Sequence, residues 1–358
     1  MIRLISARID TQALRSNLAL LKSRASGARV MAVIKANAYG HGLVPVAMAL
    51  GDADAFAVAR IEEAAALRAA GIVQPIILLE GVINAGQLAE AARLGLEMVV
   101  HEPAQLALLE EFRGAHRFAL WLKVDTGMNR LGFRPEAFAG AWARLKALRS
   151  PPLALRVMTH LACSDERDSE HTAQQLRRFA PLVQGLPAEL SIANSAALLA
   201  RSDTHAQWVR PGLALYGVSP FAGETGVALG LKPVMTLMST VLAVREVRSG
   251  EYVGYGATWR AARASRVAIL AGGYGDGLLR SLPSGTHVSV GGRQVPIVGR
   301  VSMDMIAVDV TDLPPVRPGE PARLWGGDLP VEQLAAAAGT IPYELLCGVS
   351  QRVPIELV

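Results

Sequence analysis

The sequence predicts a closed (β/α)8 barrel followed by a mostly-β C-terminal domain, and three observations carry that prediction. Through the first 230 or so residues, short apolar runs alternate with longer Ala/Leu/Arg stretches of helical spacing. The strand-like runs in this part number eight. After about residue 231 helical stretches nearly vanish, and β-branched runs separated by turn residues take over.

The strand-like runs of the first part are 31–36, 55–59, 75–80, 97–100, 118–125, 155–160, 190–195 and 208–217. Between them lie helical stretches at 61–70, 84–94, 103–112, 135–147, 172–183 and 196–201. Continuously apolar strands alternating with helices are parallel strands covered on both faces. Eight such units close into a barrel, and a doubly wound open sheet is the alternative. An opening strand, 2–9, precedes the first helix and is a candidate to pair with the second domain. That domain reads as strands 236–247, 252–259, 265–273, 286–292, 295–302, 305–312 and 322–327, with only 331–338 helical. Gly291-Gly292 between two of these runs is a hairpin turn signal. The domains are therefore set at 1–231 and 232–358.

Hydrophobic residues make up 51% of the chain, enough for a sizeable core. Lys and Arg exceed Asp and Glu by 36 to 31, a mild excess without a basic run of five. That pattern argues against nucleic acid and suits an anionic small ligand. Two isolated cysteines, Cys163 and Cys347, supply neither a disulfide framework nor a zinc site, so no metal is expected and a reducing compartment is. The N-terminus lacks a signal-peptide pattern, and no apolar run is long enough to span a bilayer. A soluble, cytoplasmic protein with no membrane partner is the expectation.

A βα barrel builds its site at the C-terminal ends of its strands. The first run ends in Lys35. A charged amine closing a buried strand is costly to desolvate, and desolvation makes a lysine a usable nucleophile; the ordinary alternative is a side chain that snorkels to the surface. The fifth run ends in Lys123 and Asp125, followed by Arg130. The sixth ends in His160, which on its own reads equally as a hydrogen-bonded core histidine. The seventh ends in Asn194-Ser195, where Ser195 is either a helix N-cap or an anion ligand. The eighth carries Arg210-Pro211-Gly212-Leu213, where Gly212 permits close backbone approach. Loops after strands seven and eight are the usual phosphate site of such barrels. A phosphate cup facing a strand-end lysine is what pyridoxal phosphate requires.

Residues 31–42, MAVIKANAYGHG, resemble the cofactor-lysine signature of bacterial alanine racemases. The resemblance continues in order at KVDTGMNRLGF (123–133), MTHLACSD (158–165), ANSAA (193–197) and VRPGLALYG (209–217). It extends through GYGATW (254–259), GYGDG (273–277), GRVSMD (299–304) and IPYELLC (341–347), and so covers both domains. It implies an isomerase that interconverts L- and D-alanine, for peptidoglycan supply or alanine breakdown, working as a homodimer whose sites take residues from both subunits.

By that resemblance Lys35 carries pyridoxal phosphate as a Schiff base and serves as base on one face of the substrate. Tyr255, from the partner subunit, serves on the other, because racemisation removes the α-proton from one side and returns one to the other. Ionising a phenol at pH 7 costs roughly 4 kcal/mol, so nearby positive charge must offset it; His160 and Arg210 are the expected sources. Arg210 is also expected to face the pyridine nitrogen. Two cations about 4 Å apart at an effective dielectric of about 20 repel by some 4 kcal/mol, which keeps that nitrogen unprotonated.

Tyr39, Ser195, Gly212, Leu213 and Tyr343 match the family's phosphate set, with His160 and Asn194 beside the cofactor. Arg130 matches a residue touching the cofactor's phenolic oxygen and the substrate carboxylate, and Met303 and Asp304 match partner-supplied substrate contacts. Lys123 matches a lysine often carbamylated, which would let it hold Arg130. Tyr274 and Tyr343 match an inner gate, and Arg280, Arg300 and Asp165 line the entry. Ser302 stands where the family often has Cys. Broader-specificity racemases and pyridoxal-phosphate decarboxylases of the same fold are the alternatives, although decarboxylases usually place an acid where Arg210 stands. Single-barrel pyridoxal-phosphate carriers lack the second domain.

Overall fold

The computed structural model of the chain describes residues 3–358. Strand β1 (Ile5–Ile9) stays outside the barrel. It pairs with the first and the last strands of the second domain, with Ala7 opposite both Leu237 and Ile355. Residue 2, where the sequence suggests this strand begins, lies outside the described residues. Helix α1 (Thr11–Arg24) follows, its first turn closed by Asp10, whose carboxylate accepts from the Ala13 N–H at 2.8 Å.

Eight parallel strands then form the barrel: β2 (Arg29–Val33), β3 (Ala55–Val58), β4 (Ile76–Leu78), β5 (Glu97–Val100), β6 (Ala119–Lys123), β7 (Ala154–Met158), β8 (Leu190–Asn194) and β9 (Trp208–Arg210). Arg29 opposite Trp208 and Val30 opposite Val209 close it, which excludes the open doubly wound sheet. Helices α2 (Leu43–Ala49), α3 (Ile61–Ala69), α4 (Ala85–Arg93), α5 (Pro103–Glu111), α6 (Phe138–Lys146), α7 (Glu170–Val183) and α8 (Ser195–Ala200) connect the strands. Strands β3 and β4 are buried throughout, the reason they read as continuous apolar runs.

The N-terminal end of the barrel is plugged. Arg156 pairs with Glu97 at 2.9 Å and Glu189 at 2.7 Å, and the Trp121 and Trp208 indole N–H groups donate to the same two carboxylates. That leaves the opposite end for a ligand.

The second domain comprises β10 (Met235–Val247), β11 (Tyr252–Val253), β12 (Trp259–Arg260), β13 (Ser265–Ala271), β14 (His287–Val290), β15 (Arg293–Pro296), β16 (Met305–Asp309), β17 (Pro321–Trp325), helices α9 (Val331–Ala337) and α10 (Pro342–Gly348), and β18 (Ile355–Leu357). The long β10 is its hub, pairing with β1, β13 and β17. Gly291 and Gly292 join β14 to β15 with φ of 57° and 78°, the positive pair a I′ turn needs. Buried Asn17 ties the domains together: its amide donates to the Leu215 and Lys232 carbonyls at 3.0 and 2.8 Å, and its oxygen accepts from the Lys232 N–H at 2.8 Å. Those bonds fix the 3-10 turn Leu213–Tyr216 against α1.

Three sequence expectations are corrected here. The run 252–259 is not one strand, because Gly254, Gly256 and Ala257 take φ of 75°, 72° and 47° and break it. The run 208–217 stops at Arg210, since Pro211 and the 3-10 turn follow. Helix α10 adds a second helix to a domain expected to hold only the one at 331–338. No helix of the described residues is long and apolar enough to cross a membrane.

Candidate active site

A cavity of about 780 Å³ opens at the C-terminal ends of the barrel strands. Lys35, Tyr39, Lys123, Arg130, His160 and Asp165 line it. So do Asn194, Ser195, Arg210, Gly212, Leu213 and Tyr343.

Lys35 stands two residues beyond the end of β2 rather than on it. The backbone then winds the wrong way: Ala36, Asn37, Ala38 and Tyr39 all have φ between 52° and 54°. A left-handed turn of four non-glycine residues is strained by about 1–2 kcal/mol per residue. Neighbouring groups hold it. The Glu63 carboxylate at the start of α3 accepts from Ala36 N–H at 2.6 Å with one oxygen and from Ala59 and Arg60 N–H at 2.9 and 3.1 Å with the other. The Asn37 oxygen accepts from Leu43 N–H at 2.9 Å. The fully buried His41 donates its Nδ1–H to the Tyr39 carbonyl at 2.9 Å and stacks on Tyr216. Burial holds His41 down to about 4, so the ring is neutral. Gly40, at φ 80°, lets the turn press on α10, because a Cβ there would lie 2.0 Å from the Leu346 carbonyl oxygen.

The strain gives a direct prediction. Ala36→Val should lower the stability by about 1–2 kcal/mol, since a β-branched residue is a poor occupant of positive φ. Ala36→Gly should leave it within about 1 kcal/mol of the parent or raise it. Urea midpoints check both; equal midpoints for the two variants would remove the case for strain.

Neutral donors gather at the far side of the turn. The Ser195 oxygen accepts from Gly212 N–H at 2.8 Å and Ala214 N–H at 3.3 Å, and its own proton has no acceptor among the described residues. Gly212 is forced to be glycine by Tyr39, whose hydroxyl would lie 2.5 Å from a Cβ there. Burial pushes the Tyr39 phenol well above its ordinary value, with Tyr343 and Cys347 adding to it, and pushes Tyr343 up to about 12, with Asp165 adding. Both phenols therefore keep their protons. The N-cap of α8 is Asn194, which accepts from Ala197 N–H at 3.1 Å and from the Ser164 hydroxyl at 2.9 Å. The N-cap alternative for Ser195 is thereby set aside.

Cations dominate the cavity's centre. Arg210 is buried and donates to the Ser191 hydroxyl at 2.6 Å, the Thr159 and Ile192 carbonyls at 2.7 and 3.1 Å, and His160 Nδ1 at 3.3 Å. Burial lowers it only to about 10, so it stays charged. Burial, then Arg210, Lys123, Arg130 and Lys35, drive His160 well below its ordinary value. His160 is therefore neutral, which corrects its expected role as a source of positive charge. Because a guanidinium only donates, the His160 proton is assigned to Nε2. Lys123 is held down to about 8 by burial first, then by Arg210, Arg130 and Lys35.

These groups fit pyridoxal phosphate. Uncharged O–H donors around Gly212 suit a phosphate, the cationic centre suits an anionic aromatic ring, and Lys35 offers a primary amine to an aldehyde.

Tyr255, Tyr274, Arg280, Arg300, Met303 and Asp304 do not line this cavity. Tyr255, Tyr274 and Met303 are among the exposed large side chains of the second domain. Their segments touch in pairs: the side chain of Arg300 is what a Cβ at Gly256, next to Tyr255, would meet at 2.9 Å, and Gly275 N–H, next to Tyr274, donates to the Met303 carbonyl at 2.8 Å. The Asp304 carboxylate is bound at 2.6 Å by Arg352 of its own chain. An anion there repels a substrate carboxylate, whereas the Met303 N–H donates to no group among the described residues. Sequence reasoning missed Glu63, His41, Ser191, Thr159 and Arg352; only the capping position of Glu63 at N3 of α3 carried a local signal.

Comparison with known proteins is consistent along the chain. Residues 9–220 match the family model described as alanine racemase, N-terminal domain, and 234–357 match alanine racemase, C-terminal domain. The chain is 48% identical to an alanine racemase of Vibrio cholerae over 351 residues, 98% of this chain and 97% of that protein. It is 50% identical to one from Nitrosococcus oceani, over 97% of this chain and 98% of the relative. Its structure matches a biosynthetic alanine racemase from Pseudomonas aeruginosa with TM-score 0.96 and 45% identity, all of both chains being covered. An alanine racemase from Bartonella henselae with covalently bound pyridoxal phosphate matches with TM-score 0.90 and 30% identity, again over both whole chains.

Proposed function

The chain belongs to the alanine racemase family, and we propose that it interconverts L- and D-alanine using pyridoxal phosphate held at Lys35. The observation that carries this reading is the meeting of a strand-end amine and a cup of neutral donors in one cavity. Bound pyridoxal phosphate supplies an aldehyde that amines condense with and a conjugated ring that draws electrons from the substrate α-carbon.

The protein's own groups then do the following. The hydroxyls of Tyr39, Ser195 and Tyr343, with the Leu213 N–H beside Gly212, would hold the phosphate. Arg210, fixed by its hydroxyl and carbonyl acceptors, would meet the cofactor's ring with a permanent charge. Lys35 Nζ takes or returns the α-proton on one face. The partner's Tyr255 serves the opposite face from its hydroxyl oxygen. His160 links that oxygen to Arg210: it accepts the guanidinium N–H at Nδ1 and donates Nε2–H to the phenolate. Positive charge therefore reaches the tyrosine through a neutral imidazole. Met303 and Arg130 receive the substrate carboxylate. The active unit is a homodimer.

Incubation of the purified protein and cofactor with L-alanine, L-serine or L-lysine, followed by chiral chromatography, tests the reading. Racemisation of alanine is the expected result. Carbon dioxide release from lysine, or no turnover, refutes it.

Lys123 is assigned a carbamate. Its nitrogen bonds to the carbon of CO₂ and loses a proton to solvent, which turns a cation crowded by Arg130, Arg210 and Lys35 into an anion that pairs with them. Only the free amine reacts. With Lys123 held at about 8, half of it is free at that pH and about 1% two units lower. Carbamate therefore forms above about pH 8 and is lost on acidification. ¹³C NMR with labelled bicarbonate should show the signal at pH 8.5 and not at pH 6; a signal unchanged by pH, absent from the parent at pH 8.5, or retained in Lys123→Ala contradicts the assignment.

A further inference from the structure

We infer that Arg352 is a positioning residue that shapes the face one chain presents to its partner's cavity. The inference rests on the shared-site reading above. Two loops make up this face. One, 273–277, carries Tyr274; the other, 302–305, carries Met303. Their backbones are stitched together by Tyr274 N–H to the Ser302 carbonyl at 3.0 Å, Gly275 N–H to Met303 at 2.8 Å, and Gly272 N–H to Asp304 at 2.8 Å.

Arg352 bridges the same two loops through side chains. Its Nε lies 2.9 Å from an Asp276 carboxylate oxygen as an ion pair, and its Nη2 donates to Asp304 at 2.6 Å. Asp276 is 2% exposed and also accepts from Gly273 N–H at 2.9 Å, at the base of the Tyr274 loop. Asp304 is 51% exposed and adjoins Met303. One planar guanidinium thus fixes the spacing between a buried anchor and a surface loop, a two-point grip that a lysine ammonium reproduces poorly. Its outer pair with half-exposed Asp304 contributes little to stability, so the main effect of that pair is on loop placement. Neither loop nor Arg352 lines the cavity of its own chain. The consequence is felt in trans.

Arg352→Lys tests this. Its melting temperature and cofactor content should stay near those of the parent, while kcat/KM for alanine falls about tenfold, chiefly through KM, as Met303 and Tyr274 lose their placement. Should Arg352→Lys fold poorly, Asp304→Asn removes the surface half of the grip and should raise KM in the same direction. Mixed dimers are then made by co-expressing Lys35→Ala and Arg352→Lys chains with different tags and purifying through both. The only working cavity is in the Arg352→Lys chain, and its face comes from the Lys35→Ala chain, where Arg352 is intact. Parental KM in the mixed dimer supports action in trans. A persistent KM defect, or no defect in the homodimeric variants, overturns the inference. The control pairs Lys35→Ala with Tyr255→Phe, which should restore one working site per dimer. If the control stays inactive the shared-site reading falls, and trans action with it; if only the control recovers, the inference about Arg352 alone falls.

Discussion

Replacing Lys35 with Ala abolishes alanine racemisation, by about 10⁴-fold or more, and leaves the protein folded. The large loss is expected because one side chain both anchors the cofactor and moves a proton. The mild effect on folding follows from the backbone: the left-handed turn is held by Glu63, Asn37 and His41, not by the Lys35 side chain. Among the described residues the cavity wall carries one other primary amine, Lys123. It is a poor substitute, being crowded by Arg210 and Arg130 and assigned to a carbamate. Borohydride reduction and peptide mass mapping check the point. The parent should carry the reduced cofactor on Lys35, and Lys35→Ala should carry none; an adduct on Lys123 together with retained activity would contradict the assignment.

Tyr255→Phe lowers racemisation by about 10³-fold, within the range for loss of a general acid–base group, with cofactor attachment unchanged. Tyr255 is 68% exposed and lies outside its own chain's cavity. Removing its hydroxyl therefore disturbs neither the phosphate cup nor the core. The loss falls on one proton transfer, in the partner's cavity, where His160 Nε2 is left without its acceptor. Thermal melting and cofactor absorbance should match the parent while turnover collapses. A parallel loss of cofactor would mean that Tyr255 acts on binding instead.

The barrel was readable because each buried parallel strand is a nearly unbroken apolar run, as in AFAV of β3. Strand-end logic likewise singled out Lys35, Lys123, His160 and Arg210, all of which line one cavity. The turn after Lys35 was not readable. Of its four positive-φ residues only Asn37 has a known taste for that conformation; Ala36, Ala38 and Tyr39 are held in it by local bonds from Asn37 and His41 together with Glu63 and the packing of Gly40 on Leu346. The neutral state of His160 was equally hidden, since it depends on burial and on four cations from three other parts of the chain. Asn17 reaches across 215 residues to Lys232, and Arg352 reaches 48 back to Asp304. Such contacts leave no local periodicity or motif. Tyr255 illustrates the reverse case, in which the family resemblance proposes a role that neither local pattern nor its own chain's cavity suggests.

The central claim is that Lys35 and the partner's Tyr255 work on opposite faces of one substrate. Hydrogen exchange at the α-carbon in heavy water tests it most directly, followed by NMR on Tyr255→Phe with each alanine enantiomer separately. Lys35 remains in that variant, so one enantiomer should exchange its α-hydrogen for deuterium with its configuration retained, while the other stays protonated. Equal exchange of both enantiomers, or deuterium entering with inversion at the parental rate, would contradict two opposed bases.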